Sequence, residues 1–184
     1  MALLPIEDLQ KRTPINGYAP FALGFRPFFL AAGLYAVLMI GLWMGVLQGG
    51  LKTGDLSSAV WHGHEMLFGF AVAVIAGFLL TAAQNWTGIR TPSGPPLAAL
   101  FFLWLAGRLS FLMPGLQAGL VALIDLAFLP VLALTLAWPI LKAKQLSNAP
   151  FPLLLLVLAA ANALVHLDGL GWTTGTARLG LHLA

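Results

Sequence analysis

Long, unbroken apolar runs separated by short polar or Pro/Gly-rich stretches make up almost the whole chain. After an arm carrying Glu7, Asp8, Lys11 and Arg12, apolar spans are predicted at about 27–47, 59–84, 97–113, 117–141 and 153–167, and a sixth begins at 177–184. Continuous runs predict helices, because strands of a membrane barrel alternate apolar and polar residues over segments of about ten. The expected fold is all-α: a polytopic transmembrane helix bundle of five spans plus the start of a sixth. It forms one membrane domain over 1–184, with 1–22 as a cytoplasmic arm. Span five is short for the roughly 20 residues a bilayer core requires. The last segment is too short to cross, so the chain is expected to be truncated from a longer protein.

Local punctuation agrees with these bounds. Pro27 suits a first helical position, where its missing N–H costs nothing. Gly33, Val37, Gly41 and Gly45 recur every fourth residue, and Gly69, Ala73 and Gly77 do the same on span two. Each is a small-residue stripe on which another helix can approach closely, and the first suits a lipid-facing role equally well. Pro130 predicts a kink in span four. Trp61, Trp86 and Trp172 fall near expected interfaces and read as anchors.

Composition narrows the function classes. Hydrophobic residues make up 60% and charged residues 8%, against roughly 25% charged in soluble domains. The net charge of +3 is spread without a basic stripe, which excludes a nucleic-acid partner. With no cysteine, disulfides, thiolate metal sites, iron–sulfur clusters and covalent haem attachment are excluded. Any metal must be held by His, Met, carboxylate or backbone oxygen. The first twenty residues hold no apolar core of a signal peptide, so the first span is expected to remain.

Lys11, Arg12, Arg26, Arg90, Lys142 and Lys144 lie at one set of helix ends, and Lys52 and Arg178 at the other. The positive-inside rule then puts the amino terminus in the cytoplasm. In that orientation His62, His64, His166 and His182 share the outer leaflet.

Ionisable groups inside a membrane are expensive and usually have a task, so attention falls on Trp61-His62-Gly63-His64-Glu65-Met66-Leu67-Phe68-Gly69-Phe70. The zinc-protease pattern is rejected because Phe68 stands where the second histidine must be. His62 and His64 project about 200° apart around an ideal helix, so they grip one ion only if the helix starts between them. His62, Glu65 and Met66 share a face through i+3 and i+4 spacing. Imidazole with a thioether nearby suits copper or haem iron. The cofactor candidates are therefore His62, His64, His166 and His182, with His62 and His64 as the metal pair. Glu65, Met66 and Asp168 are candidates to support them. Arg108 and Asp125 are expected to form a structural ion pair between spans three and four.

The stretches Leu23-Gly24-Phe25-Arg26-Pro27-Phe28-Phe29, Trp61 to Phe70, Gly77-Phe78-Leu79-Leu80-Thr81-Ala82 and Asn85-Trp86-Thr87-Gly88 together resemble the NnrS family of bacterial membrane proteins. Members are typically about twice this long, with around twelve helices, so the chain resembles an amino-terminal half. The resemblance implies an inner-membrane protein containing non-covalent haem b and copper, linked to nitric oxide and nitrosative stress. His62 and His64 match its motif; His166 and His182 are added by position. The implied partners are the lipid bilayer, nitric oxide and a redox partner, with the oligomeric state open. Two further readings stand beside it. One is a transporter or channel with a polar pathway of the histidines, Asp125 and Arg108. The other is an enzyme acting on nitric oxide, which needs an open coordination position and an electron source.

Overall fold

The computed structural model describes residues 19–51, 53, 56–113 and 115–184. Most of the expected arm, with Lys11 and Arg12, lies outside them, as does Lys52. Six helices carry the described chain: α1 (Phe25–Leu47), α2 (Ser58–Thr87), α3 (Pro95–Ser110), α4 (Ala118–Lys142), α5 (Pro150–Gly169) and α6 (Thr176–Leu183). No strand occurs among the described residues.

Spans two, three and five differ from their expected bounds, span two running on to Thr87. Span three ends at Ser110 rather than near 113 and is a 16-residue helix, about 24 Å long at 1.5 Å per residue. Span five is longer than expected: Pro150 occupies its first turn, where a proline needs no hydrogen-bond partner, and the helix runs 20 residues to Gly169. α1, α2, α4 and the segment Leu146–Gly169 are each long and apolar enough to cross a bilayer, and the protein is a membrane protein.

The bundle is built around α2. Over half of its apolar window is buried, against 17% for α1. Its small-residue face is what lets α1 come close. A Cβ on Gly77 would meet Phe29 Cδ1 at 2.8 Å and Phe28 Cβ at 3.2 Å; one on Gly69 would meet Tyr35 Cε1 at 2.7 Å. The stripe on α1 is used differently. Among the described residues nothing lies within 4 Å of a Cβ at Gly33 or Gly41, and Val37 is exposed, so that stripe faces away from the described bundle with Leu30, Leu34 and Ile40.

The chain leaves α2 through Gly88, whose φ of 67° is the left-handed conformation that closes helix ends. α4 runs through Pro130 and Pro139 as one helix. An aromatic layer of Phe28, Phe101, Trp104 and Phe128, with ring centroids 5.7–6.4 Å apart in edge and tilted contacts, packs the middle of the bundle. Trp61 is buried rather than anchored at a surface; Trp172 is exposed.

Candidate metal centre

α2 is not a regular helix throughout. Between Ser58–His64 and Val72–Thr87 it widens into a π-helical stretch, Glu65–Ala71. Such insertions frequently sit at functional sites, because they break the 3.6-residue register and re-aim side chains. Here His64 and Glu65 both turn into the bundle and are fully buried. Gly69 makes room for the group: a Cβ there would stand 3.2 Å from Glu65 Oε2 and 3.3 Å from Arg108 Cδ.

Around His64 the polar side chains of five helices interlock. His64 Nδ1 lies 3.0 Å from Glu65 Oε1, and its Nε2 lies 2.8 Å from Asn162 Oδ1 and 3.2 Å from Asp125 Oδ2. His166 Nε2 lies 2.8 Å from the same Asp125 oxygen, to which Asn162 Nδ2 donates at 2.8 Å. Arg108 donates from Nη1 to Glu65 Oε1 at 2.9 Å and pairs through Nη2 with Asp125 Oδ1. Tyr35 donates its hydroxyl to Glu65 Oε2. One ligand atom each of His64, Asp125 and His166 lies within 4.8 Å of the others.

The donor set fits a cation. Glu65, Asp125 and Arg108 leave one net negative charge inside the bundle if both acids are ionised, and an uncompensated buried charge costs several kcal/mol. A neutral imidazole carries one N–H, yet both nitrogens of His64 face carboxylates. A proton or a metal ion at the centre of the cluster meets both demands. Two imidazoles and a carboxylate suit divalent first-row metals, with Glu65 behind His64 as the group that orients the ring.

A porphyrin does not fit between these ligands. The rings of His64, Phe68, Phe111 and His166 pack with centroids 5.0–5.8 Å apart, and the cavity beside His166 is about 50 Å³.

The other sequence candidates fall elsewhere. α2 begins at Ser58, so His62 and His64 lie on one continuous helix and point apart. His62 is half-buried and stacked on Trp43, centroids 4.2 Å apart and planes 21° apart. Its Nδ1 is buried with no hydrogen-bond partner among the described residues. Glu65 joins His64 instead of the face of His62, because the register changes at the π stretch. Met66 packs with Met39, Val46, Trp61 and Phe111. His182 is exposed on α6, whose Leu181 lies 3.2 Å from a Cβ on Gly63. The Asp168 carboxylate is spent on the start of α6, accepting from Gly175 N at 2.9 Å and Ala177 N at 3.1 Å.

Tyr35 and Asn162 escaped the reading of the sequence. Asn162 had a visible signal, as a lone amide inside an apolar helix one turn before His166. Tyr35 had none, since tyrosine is ordinary in a membrane span.

The fold and the cluster define a polytopic membrane helix bundle with a metal-competent imidazole–carboxylate site in its interior. Residues 19–184 match the family model described as NnrS protein, and the chain belongs to the NnrS family. No curated protein and no solved structure matches the chain.

Proposed function

We infer that the chain is a bacterial inner-membrane protein, amino terminus in the cytoplasm, that binds copper and haem and acts in the response to nitric oxide. The observation that carries the metal part is the convergence of His64, Asp125 and His166 within 4.8 Å, in an interior where two carboxylates share one guanidinium. These three residues hold copper, and Glu65 fixes the His64 ring through Nδ1, which leaves Nε2, beside Asp125, as the ligand atom. Bound copper supplies a one-electron redox centre and an affinity for small ligands with a lone pair. Haem, implied by the family, has its candidate ligand in His62, whose buried Nδ1 has no partner among the described residues and lies beside the Trp43 ring. His62 and His64 thus serve two different groups.

The test is metal analysis and an optical spectrum of the purified protein beside single variants. His64→Ala and His166→Ala are expected to lose at least nine-tenths of the copper while keeping the haem absorption, and His62→Ala the reverse. Wild-type protein with neither stoichiometric copper nor a haem spectrum overturns the reading. A second reading, a transporter or channel, draws on the same polar line of Arg108, Asp125 and the histidines. It requires ion or metal flux in proteoliposomes that disappears in His64→Ala; absence of flux removes it.

A further inference from the structure

Packed side chains enclose the polar cluster, and a cavity reaches it at His166. That cavity, about 50 Å³, is lined by Leu56, Ser110, Phe111, Leu116, Val121 and His166, with Met113, Ala118, Gly169 and Leu170 completing it. Its lining comes from the α1–α2 connection, the α3–α4 connection and the carboxyl end of α5, so it lies at one end of the bundle. Burial grades along it. Met113 at its rim is 56% exposed, whereas Phe111, His166 and Ser110 are 9%, 6% and 3% exposed. The cavity therefore runs from the surface to the His166 ring.

Its chemistry limits what enters. The Ser110 hydroxyl is spent on the Gly107 carbonyl at 2.7 Å, and His166 Nε2 is held by Asp125. The other lining side chains are aliphatic, aromatic or thioether. Among the described residues no charged side chain lines the cavity, so an ion entering it would shed its water with no compensation from them. Volume sets the second limit: one water requires roughly 10–15 Å³ of such space, which leaves room for a molecule of a few heavy atoms. Phe111 closes the inner end. Its ring lies against His166, centroids 5.8 Å apart and planes 25° apart, and 5.0 Å from His64.

We propose that this cavity is a size-selective entry route by which small uncharged molecules, of two or three heavy atoms, reach His166, with Val121 and Phe111 forming its walls. Its purpose, ligand delivery to a metal at His64, Asp125 and His166, rests on the reading given above. Its existence as a route does not. An ion-conducting path would instead be lined by polar groups from mouth to cluster.

Two probes decide the matter in the full chain, whatever its metal content. Xenon, uncharged and close to the cavity in size, is expected to occupy it under pressure, seen as density beside His166 in crystals, and to lose that position in Val121→Trp. Ala118→Leu narrows the same space with a smaller side chain and serves where Val121→Trp fails to fold. Diethyl pyrocarbonate, too large to enter, is expected to modify exposed His182 at least tenfold faster than His166, read by peptide mass spectrometry. Absence of xenon from the cavity, or labelling of His166 at the rate of His182, overturns the proposal. Failure of the metal reading shows separately, as absence of copper with the xenon site intact.

Discussion

His64 on α2 and His166 on α5 bring their Nε2 atoms to a single oxygen, Asp125 Oδ2, at 3.2 and 2.8 Å. Asp125 therefore ties three helices through one atom and holds Arg108 through the other. Removing its charge strips both imidazoles of a shared partner and leaves Arg108 with Glu65 alone. Breaking a buried pair by deleting one partner costs about 3–5 kcal/mol. Asp125→Ala is expected to lower the thermal midpoint in detergent sharply and to abolish copper binding. In a double-mutant cycle, Arg108→Met with Asp125→Leu is expected to cost clearly less than the sum of the single changes. Additive costs refute a structural ion pair.

Gly69 and Gly33 make a matched pair of substitutions. At Gly69 a Cβ meets Tyr35 Cε1 at 2.7 Å, whereas at Gly33 no described residue lies within 4 Å. Gly69→Ala is expected to destabilise by about 1–3 kcal/mol through overpacking and to reduce copper content, because Tyr35, Glu65 and Arg108 must all shift. Gly33→Ala is expected to be neutral or stabilising, since alanine favours helix. Thermal unfolding and copper stoichiometry of both variants check this; equal effects refute the assignment of the two stripes.

Tyr35 donates to Glu65 Oε2 from α1. Tyr35→Phe removes that donor and leaves a buried carboxylate oxygen short of a partner, at a cost of about 1–3 kcal/mol. The expected outcome is lower thermal stability with copper stoichiometry retained, since Tyr35 touches no ligand atom of the His64, Asp125 and His166 group. Complete loss of copper would give Tyr35 a larger part in the site.

Asp168 bonds to the amides of Gly175 and Ala177 and so acts as a helix cap. Asp168→Ala is expected to cost about 0.5–2 kcal/mol, to speed hydrogen exchange at those two amides and to leave metal content unchanged. A drop in copper would instead return Asp168 to the metal site.

The absence of cysteine makes the orientation directly testable. Ser57, before α2, and Lys144, after α4, are both exposed. In intact cells, Ser57→Cys is expected to react with a membrane-impermeant maleimide, and Lys144→Cys only after the membrane is opened. The opposite pattern overturns a cytoplasmic amino terminus.

The helices were readable because a membrane span needs only a long apolar run, but Thr87, Pro95 and Pro150 end or begin their helices two or three residues outside the expected bounds. The errors fell where a neighbour or a backbone irregularity decides. Ser110 ends α3 three residues early, and Glu65 turns to His64 because of a π stretch that no periodicity count reveals.

By itself the sequence determined that the chain is a helical membrane protein with costly polar groups in its apolar spans, because hydrophobicity and chain length are local properties. It also marked the segment from Trp61 to Phe70, with His62 and His64 facing apart. Only the tertiary structure decided that His64 shares Asp125 with His166, that Asn162 and Tyr35 complete the cluster, and that His62 and His182 stand apart from it. Those choices depend on how α1, α2, α4 and α5 pack, on the room left at Gly69 and Gly77, and on a widened turn at Glu65. Each is a relationship between residues distant in the chain, set by steric fit and charge balance rather than by any residue's own preference.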